Sequence, residues 1–282
     1  MSQVFTAFQR LLPQHRLSRL TGRLAESEAP WIRRSLIHAF ARAYGVTLEE
    51  AEYENLDDYR SFNDFFTRAL KPGARPLDED PLAILCPADG TISQVGPIDD
   101  GKLLQAKGHR YSLRSLIGEN VDEFTGGTFA TVYLAPHNYH RVHLPTAGTL
   151  VRTTAIPGEL FSVNAMTESA IDNLFARNER LVCRFETDHG VMLVVLVGAL
   201  VVASIETVWP GPASPYRSLV QTAHLEALGR GDEIGRFLLG STVIVCFEPG
   251  RAAFSDEIRA GTTVRVGESL GKLGGQRKEP LP

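Results

Sequence analysis

The chain has 282 residues, 43% hydrophobic and 22% charged, with a formal net charge of -4, enough apolar material for the core of one large or two modest domains. Its three cysteines, Cys86, Cys183 and Cys246, stand far apart, which excludes a disulfide framework and a zinc knuckle and suits a reducing compartment. The most apolar run, VMLVVLVGALVVAS from Val191 to Ser204, is shorter than the ~20 residues of a bilayer-spanning helix, so any membrane contact is made from one side.

The first residues lack a charged start, an apolar stretch and a small-residue cleavage site, so no secretory signal is expected. From Val4 to Leu70 the pattern is helical: FTAFQRLL, LSRLTGRLAE, and PWIRRSLIHAFARAYG with Pro30 early and Gly45 at its end, the positions those residues favour. Phe5, Phe8 and Leu12 fall on one helical face. Residues 1–45 carry Arg10, Arg16, Arg19, Arg23, Arg33, Arg34 and Arg42 against only Glu26 and Glu28, leaving an acidic remainder. A basic, partly apolar segment on an acidic body suits contact with an anionic surface, lipid or nucleic acid, although solvated short helices give the same pattern. SFNDFFTRAL reads as a last short helix before the turn cluster KPGARPL.

After Pro81 the segments become short and β-rich: TISQVG, TFATVYLA, LVCRFET, VMLVVLVGALVV and STVIVCF, separated by Gly, Pro, Asn and Asp. They predict a mostly antiparallel β domain, with Gly198 dividing the long apolar run into two core strands. YSLRSLIGE and NAMTESAIDNLFARNE read as its helices, and AGTTVRVGESLGKLGG as closing short strands. The fold class expected is α+β, with an N-terminal helical, membrane-facing region over residues 1–75 and a β-sheet or β-sandwich catalytic domain over 76–282.

Three places combine reactive side chains with turn punctuation. In CPADGTISQVG, Asp89 precedes Gly90 at a strand entry, a pair that by itself is usually a turn. In LAPHNYHRVHLP, His137, His140 and His143 are spaced by three. No Cys or Glu of ligand spacing lies nearby, which leaves general base and proton donor as the natural roles, imidazole titrating near neutrality. The third is Gly240, Ser241 and Thr242, set in the apolar run GRFLLGSTVIVCF, where a lone glycine marks a close approach to the backbone. Asp89, one of the histidines and Ser241 supply a carboxylate, a base and a nucleophile. No G-x-S-x-G elbow accompanies Ser241, as an ordinary hydrolase would require.

GRFLLGSTV, NYHRVHLP, CPADGTIS, FNDFFTR, PGELFSVN and RNERLVC closely resemble, in order, the segments of bacterial phosphatidylserine decarboxylase. The resemblance runs from about Phe62 to Gly250, more loosely beyond, and departs at Arg230 in RGDEIGRF, where the family usually has lysine. It implies that Ser241 attacks the carbonyl of Gly240 and that the resulting ester eliminates. The chain is thereby cut into residues 1–240 and 241–282, and Ser241 becomes a pyruvoyl group, the covalent cofactor. It further implies that Asp89 orients His143 and that His143 takes the Ser241 proton. The pyruvoyl group then forms a Schiff base with phosphatidylserine, carbon dioxide leaves, and His140, with His143 as rival, protonates the carbon to give phosphatidylethanolamine. An unhindered glycine carbonyl suits such an attack.

The partners implied are the lipid substrate, an anionic membrane surface on the cytoplasmic side of the cell membrane, and a second copy in a homodimer. Neither a metal nor a nucleic acid is called for. Phe5, Phe8 and Trp31 are the expected insertion points. Two other readings stay open from the residues: a serine hydrolase with an intact chain, and a non-catalytic, carrier-like β-sandwich built from CPADGTISQVG and AGTTVRVGESLGKLGG, which lacks the lysine turn that carriers modify. A related decarboxylase acting on another serine-bearing lipid also fits.

Overall fold

The computed structural model describes residues 21–106, 109–163, 165–199, 205–238 and 241–275. The helices expected within residues 4–20, together with Phe5 and Phe8, lie outside the described residues, as does Gly240.

Helix α1, Pro30–Tyr44, begins on proline and ends at Gly45, which takes the left-handed conformation (φ 64°) that closes a helix without a Cβ clash. Trp31 on this helix is 75% exposed. The short α2, Phe62–Phe66, is capped by Ser61, whose hydroxyl accepts from the Asp64 amide at 3.1 Å. Ile37 and Ala41 of α1 pack on Tyr59, Phe62, Phe65 and Phe66 to form a small aromatic core of their own. Among the described residues no helix is long and apolar enough to cross a membrane.

The remainder is built on an antiparallel sheet of eight strands, in the order β11-β7-β8-β9-β13-β5-β2-β15. In chain order these are β2 Gly90–Pro97, β5 Thr128–Leu134, β7 Gly148–Ile156, β8 Arg180–Thr187, β9 Gly190–Val197, β11 Val220–Leu228, β13 Ser241–Phe247 and β15 Thr263–Val264. Both faces of the central strands are covered. Val243, Val245 and Phe247 of β13 enter one core with Val132 and Leu196, whereas Ile244 and Cys246 enter the other with Phe129 and Val195, the alternation that a strand's two-residue period imposes. Burial on both sides explains why β9 and β13 read as unbroken apolar runs.

Smaller sheets flank this one: β1 (Ala83–Leu85), β16 (Ser269–Leu273) and β14 (Ala252–Phe254) in the order β1-β16-β14, and β10 (Ile205–Thr207), β12 (Glu233–Phe237) and β6 (Arg141–His143) in the order β10-β12-β6. A two-stranded ribbon pairs β3, Lys102–Ala106, with β4, His109–Ser112.

GRFLLGSTVIVCF spans two strands of different sheets: Phe237 ends β12 in a small sheet and Ser241 opens β13 in the large one. One expectation is corrected. NAMTESAIDNLFARNE is not one helix but two short ones, α4 (Ala165–Glu168) and α5 (Leu174–Arg177), the latter following the helix Leu113–Ile117 (α3) in the chain. The break has a cause: the buried Gln105 amide donates to the Glu168 and Ile171 carbonyls at 2.7 Å each and accepts from the Leu174 amide at 2.9 Å, replacing helical bonds, while Asn173 turns left-handed at φ 57°. Of the run expected as two core strands, Gly190–Val197 is a strand, and residues 200–204 lie outside the described residues.

Gly90 marks the tightest approach between β2 and β5, since a Cβ there would run into the Tyr133 carbonyl oxygen. Gly90→Ala is therefore expected to lower stability by about 1–3 kcal/mol through overpacking. Urea unfolding checks this, and an unchanged midpoint would contradict the close contact.

Candidate active site

Two chain segments cross together from the large sheet to a small one. Ser241 at the start of β13 pairs with Leu134 at the end of β5, and Thr242 pairs with Tyr133. On the far side of the crossing β12 pairs with β6, with Arg236 opposite Arg141, and the Phe237 amide donates to the His140 carbonyl at 3.0 Å. The loop 135–139 thus lies between two pairings, Leu134 with Ser241 and Arg141 with Arg236, so the chain that carries the histidine motif leaves the large sheet beside Ser241.

The loop is fixed by its own polar groups. Asn138 Oδ1 accepts from the Ala135 amide at 2.8 Å, and the Asn138 amide donates to the Ala135 carbonyl at 2.9 Å, an Asx-type closure. Arg68, just after α2, donates through Nη2 to the His137 carbonyl at 2.9 Å. The FNDFFTR motif therefore holds the histidine loop from outside.

His140 is fully buried, its ring 4.0 Å from that of Phe66, and its Nδ1 lies 2.8 Å from the Asn138 carbonyl. A carbonyl only accepts, so Nδ1 carries the proton and the lone pair sits on Nε2. That Nε2 is buried without a hydrogen-bond partner, as are Arg68 Nη1 and the Thr242 hydroxyl beside Ser241. Burial first, and then the positive charge of Arg68, push the His140 pKa down to about 3, so the ring is neutral at physiological pH.

His143 is tethered at both ring nitrogens. Nδ1 donates to the Gly231 carbonyl at 2.8 Å, and Nε2 lies 3.1 Å from the Tyr139 hydroxyl, whose ring stacks on the imidazole at 5.7 Å. With Nδ1 protonated, the Tyr139 O–H donates to Nε2. Burial lowers the His143 pKa and raises that of Tyr139 to about 12, so a neutral base faces a protonated phenol.

Asp89 does not hydrogen-bond to His143. Its carboxylate accepts from Arg75 Nε at 2.9 and 3.1 Å, from Arg75 Nη2, and from the Val266 amide at 2.9 Å. A nearly buried carboxylate is held best by a forked guanidinium, and Arg75 in turn bonds Glu50 at 3.0 Å, which also takes Arg265 at 2.9 Å. Asp89 reaches His143 through space, its charge favouring the imidazolium. Among the described residues no three His, Cys, Asp or Glu side chains stand together as metal ligands.

Two cavities flank this place. One of about 580 Å³ is lined by Leu36, Phe40, Phe62, Phe66, Tyr133 and Leu134, the last being the residue paired with Ser241. The other, about 260 Å³, is lined by Glu50, Arg68, Arg75, Asp89, Tyr139 and Arg265 among others.

The family model for phosphatidylserine decarboxylase matches residues 62–272, and a second, described as PSD, matches residues 4–45. The chain belongs to the phosphatidylserine decarboxylase family. Curated relatives named phosphatidylserine decarboxylase proenzyme include those of Ectopseudomonas mendocina, 52% identical over 95% of this chain and 98% of the relative, Bordetella pertussis, 52% over 95% and 94%, and Pseudomonas aeruginosa, 52% over 95% and 96%.

Sequence reasoning missed Arg75, Tyr139 and the Gly231 carbonyl. Tyr139 stood inside NYHRVH with no role assigned. Arg230, the departure from the family pattern, donates to the Asp78 and Asp80 carbonyls and so anchors the turn whose next residue holds His143. Gly231 has φ +83°, and a Cβ there would lie 2.6 Å from Leu77 Cδ1, which explains glycine at that turn.

His140 gives a pH prediction. An unfolded histidine titrates near its ordinary value of 6.5, whereas the native ring stays neutral down to about 3. As pH falls below 6.5 the unfolded chain binds a proton that the folded one refuses, so stability is lost with acid, at up to about 1.4 kcal/mol per pH unit from this group. Urea unfolding of a Ser241→Ala chain at pH 7 and pH 5 is expected to show a smaller acid loss once His140→Gln is added, and an equal loss would show that His140 is not buried neutral.

Proposed function

We propose that the chain is a proenzyme that cuts itself between Gly240 and Ser241 and, as the two-chain product, decarboxylates phosphatidylserine to phosphatidylethanolamine. The observation that carries this reading is the paired crossing, in which Ser241 opens β13 opposite Leu134 while the segment that follows Leu134 carries the buried His140 and the doubly tethered His143. In the first stage the His143 lone pair at Nε2 is the base for the Ser241 hydroxyl, and Asp89 favours the imidazolium by its charge without a direct hydrogen bond. The alkoxide then attacks the Gly240 carbonyl.

The residues present suit a pyruvoyl group at position 241 in one respect: His140 Nε2 is buried and unpartnered, a polar atom free to meet an amine substrate. The group's carbonyl, once formed, supplies the electron sink for the carbanion that carbon dioxide leaves behind. His140, neutral at rest, can take the substrate ammonium proton on Nε2 and return it to that carbon, burial and Arg68 favouring its release.

The apolar cavity bounded by Leu36, Phe40, Phe62 and Phe66 suits acyl chains. Residues 1–75 are read as the membrane-associating region of a peripheral protein on the cytoplasmic side of the cell membrane, residues 76–282 as the catalytic domain, and the working form as a homodimer. Each basic residue near anionic lipid contributes about 1 kcal/mol.

Electrophoresis of the purified chain is expected to show a long and a short polypeptide, with a pyruvoyl mass at the start of the short one. Ser241→Ala is expected to remain whole and inactive; a wild-type chain that stays intact while active would favour the serine hydrolase reading. A chain lacking residues 1–30 is expected to lose most of its binding to anionic vesicles in a flotation assay, and undiminished binding would remove the membrane role from that segment.

A further inference from the structure

The base nitrogen of His143 is already occupied. Its Nε2 lone pair receives the Tyr139 hydroxyl at 3.1 Å, the two rings stack with 27° between their planes, and Nδ1 is committed to Gly231. A serine hydroxyl reaching this imidazole must therefore either displace Tyr139 or act through it. Displacement would cost a phenol that is 7% exposed its hydrogen bond to His143, a net loss of about 0.5–1.5 kcal/mol. Passage through it costs no bond, because a phenol oxygen accepts one hydrogen bond while donating another. Tyr139 also stands in the right segment: it precedes His140, whose carbonyl holds Phe237, and follows Leu134, whose partner is Ser241.

We propose that Tyr139 relays the Ser241 proton to His143 during self-cleavage. The Ser241 O–H bond breaks as a new O–H bond forms on the Tyr139 oxygen, and the original Tyr139 O–H bond breaks as a bond forms to His143 Nε2. Tyr139 ends neutral, His143 ends as imidazolium, and Ser241 is left as the alkoxide that attacks the Gly240 carbonyl. The phenolate never accumulates, since both transfers belong to one step. The imidazolium so formed faces Glu233, its partner across β12 and β6, and the through-space charge of Asp89, with Arg141 opposing on its own strand. This inference rests on the self-cleavage reading and assigns a role that His143 and Asp89 leave unfilled.

The test follows cleavage of freshly synthesised chain on gels in water and deuterium oxide mixtures. Tyr139→Phe keeps the ring and its stacking, so its melting temperature in the uncleavable Ser241→Ala background should stay close to the parent. Its cleavage is expected to be about 100-fold slower, the usual size of a lost general-base contribution. The wild-type rate should bend downward with deuterium fraction, as two moving protons require, and the Tyr139→Phe rate should fall on a straight line, as one does. Cleavage of Tyr139→Phe at the wild-type rate or faster, or a slowed reaction whose deuterium dependence is as curved as the parent's, overturns the relay. Ser241→Ala run beside it separates the two readings: if that chain is also cut, self-cleavage itself is refuted.

Discussion

The site depends on one topological constraint, the paired departure of two neighbouring strands from the large sheet. β5 ends at Leu134 and the chain re-forms as β6, while β12 ends at Phe237 and β13 begins at Ser241, so that both passages between the sheets have ladder pairing before and after them. Strand pairing leaves little freedom of register when both faces are buried, because a one-residue slip would exchange the two cores. Val243 and Ile244 belong to different cores, which pins Ser241 opposite Leu134. The backbone position of Ser241 is thus set by hydrophobic packing on both faces of the sheet.

The polar part of the site is organised by neutrality around one strong ion pair. Arg75 and Asp89 are 11% and 7% exposed at their side chains, and breaking such a pair by removing one partner costs far more than the pair contributes. The Val266 amide adds a third hold on Asp89, and Arg265 reaches the same network through Glu50. Asp89 thereby links strand entry, helical region and C-terminal segment, and what it offers His143 is field. Both histidines are kept neutral by burial, which suits a base awaiting a proton better than it suits a resting acid.

Much of this was legible in the chain. Pro30 and Gly45 delimit α1 as their backbone preferences require, and the β-rich character after Pro81 follows from alternating or continuous apolar runs. The motifs at Asp89, His140, His143 and Ser241 were visible because reactive side chains set among Gly and Pro stand out. What stayed hidden came from long-range pairing. The sheet switch inside GRFLLGSTVIVCF has no local signature, since apolar β-branched residues suit either sheet. The break between α4 and α5 is imposed by Gln105, some sixty residues earlier in the chain. Arg75 and Tyr139 look like ordinary residues of a turn and a loop until the fold gives one a carboxylate and the other an imidazole.

A cut at the sheet crossing, as proposed, would leave two chains that remain one molecule. Ser241 is where β13 begins, so severing the bond before it leaves that strand paired along its length with β5 on one side and along most of it with β9 on the other. Downstream, β15 pairs with β2, β16 pairs with β1, and Leu273 donates to the Leu82 carbonyl, all across to the long chain. The cores add apolar burial over the same strands, and burial does not depend on chain connectivity. The proposed cut would create a new chain end while the strand pairings on both sides of β13 persist, so the backbone could be consumed as a reagent without loosening the framework around it.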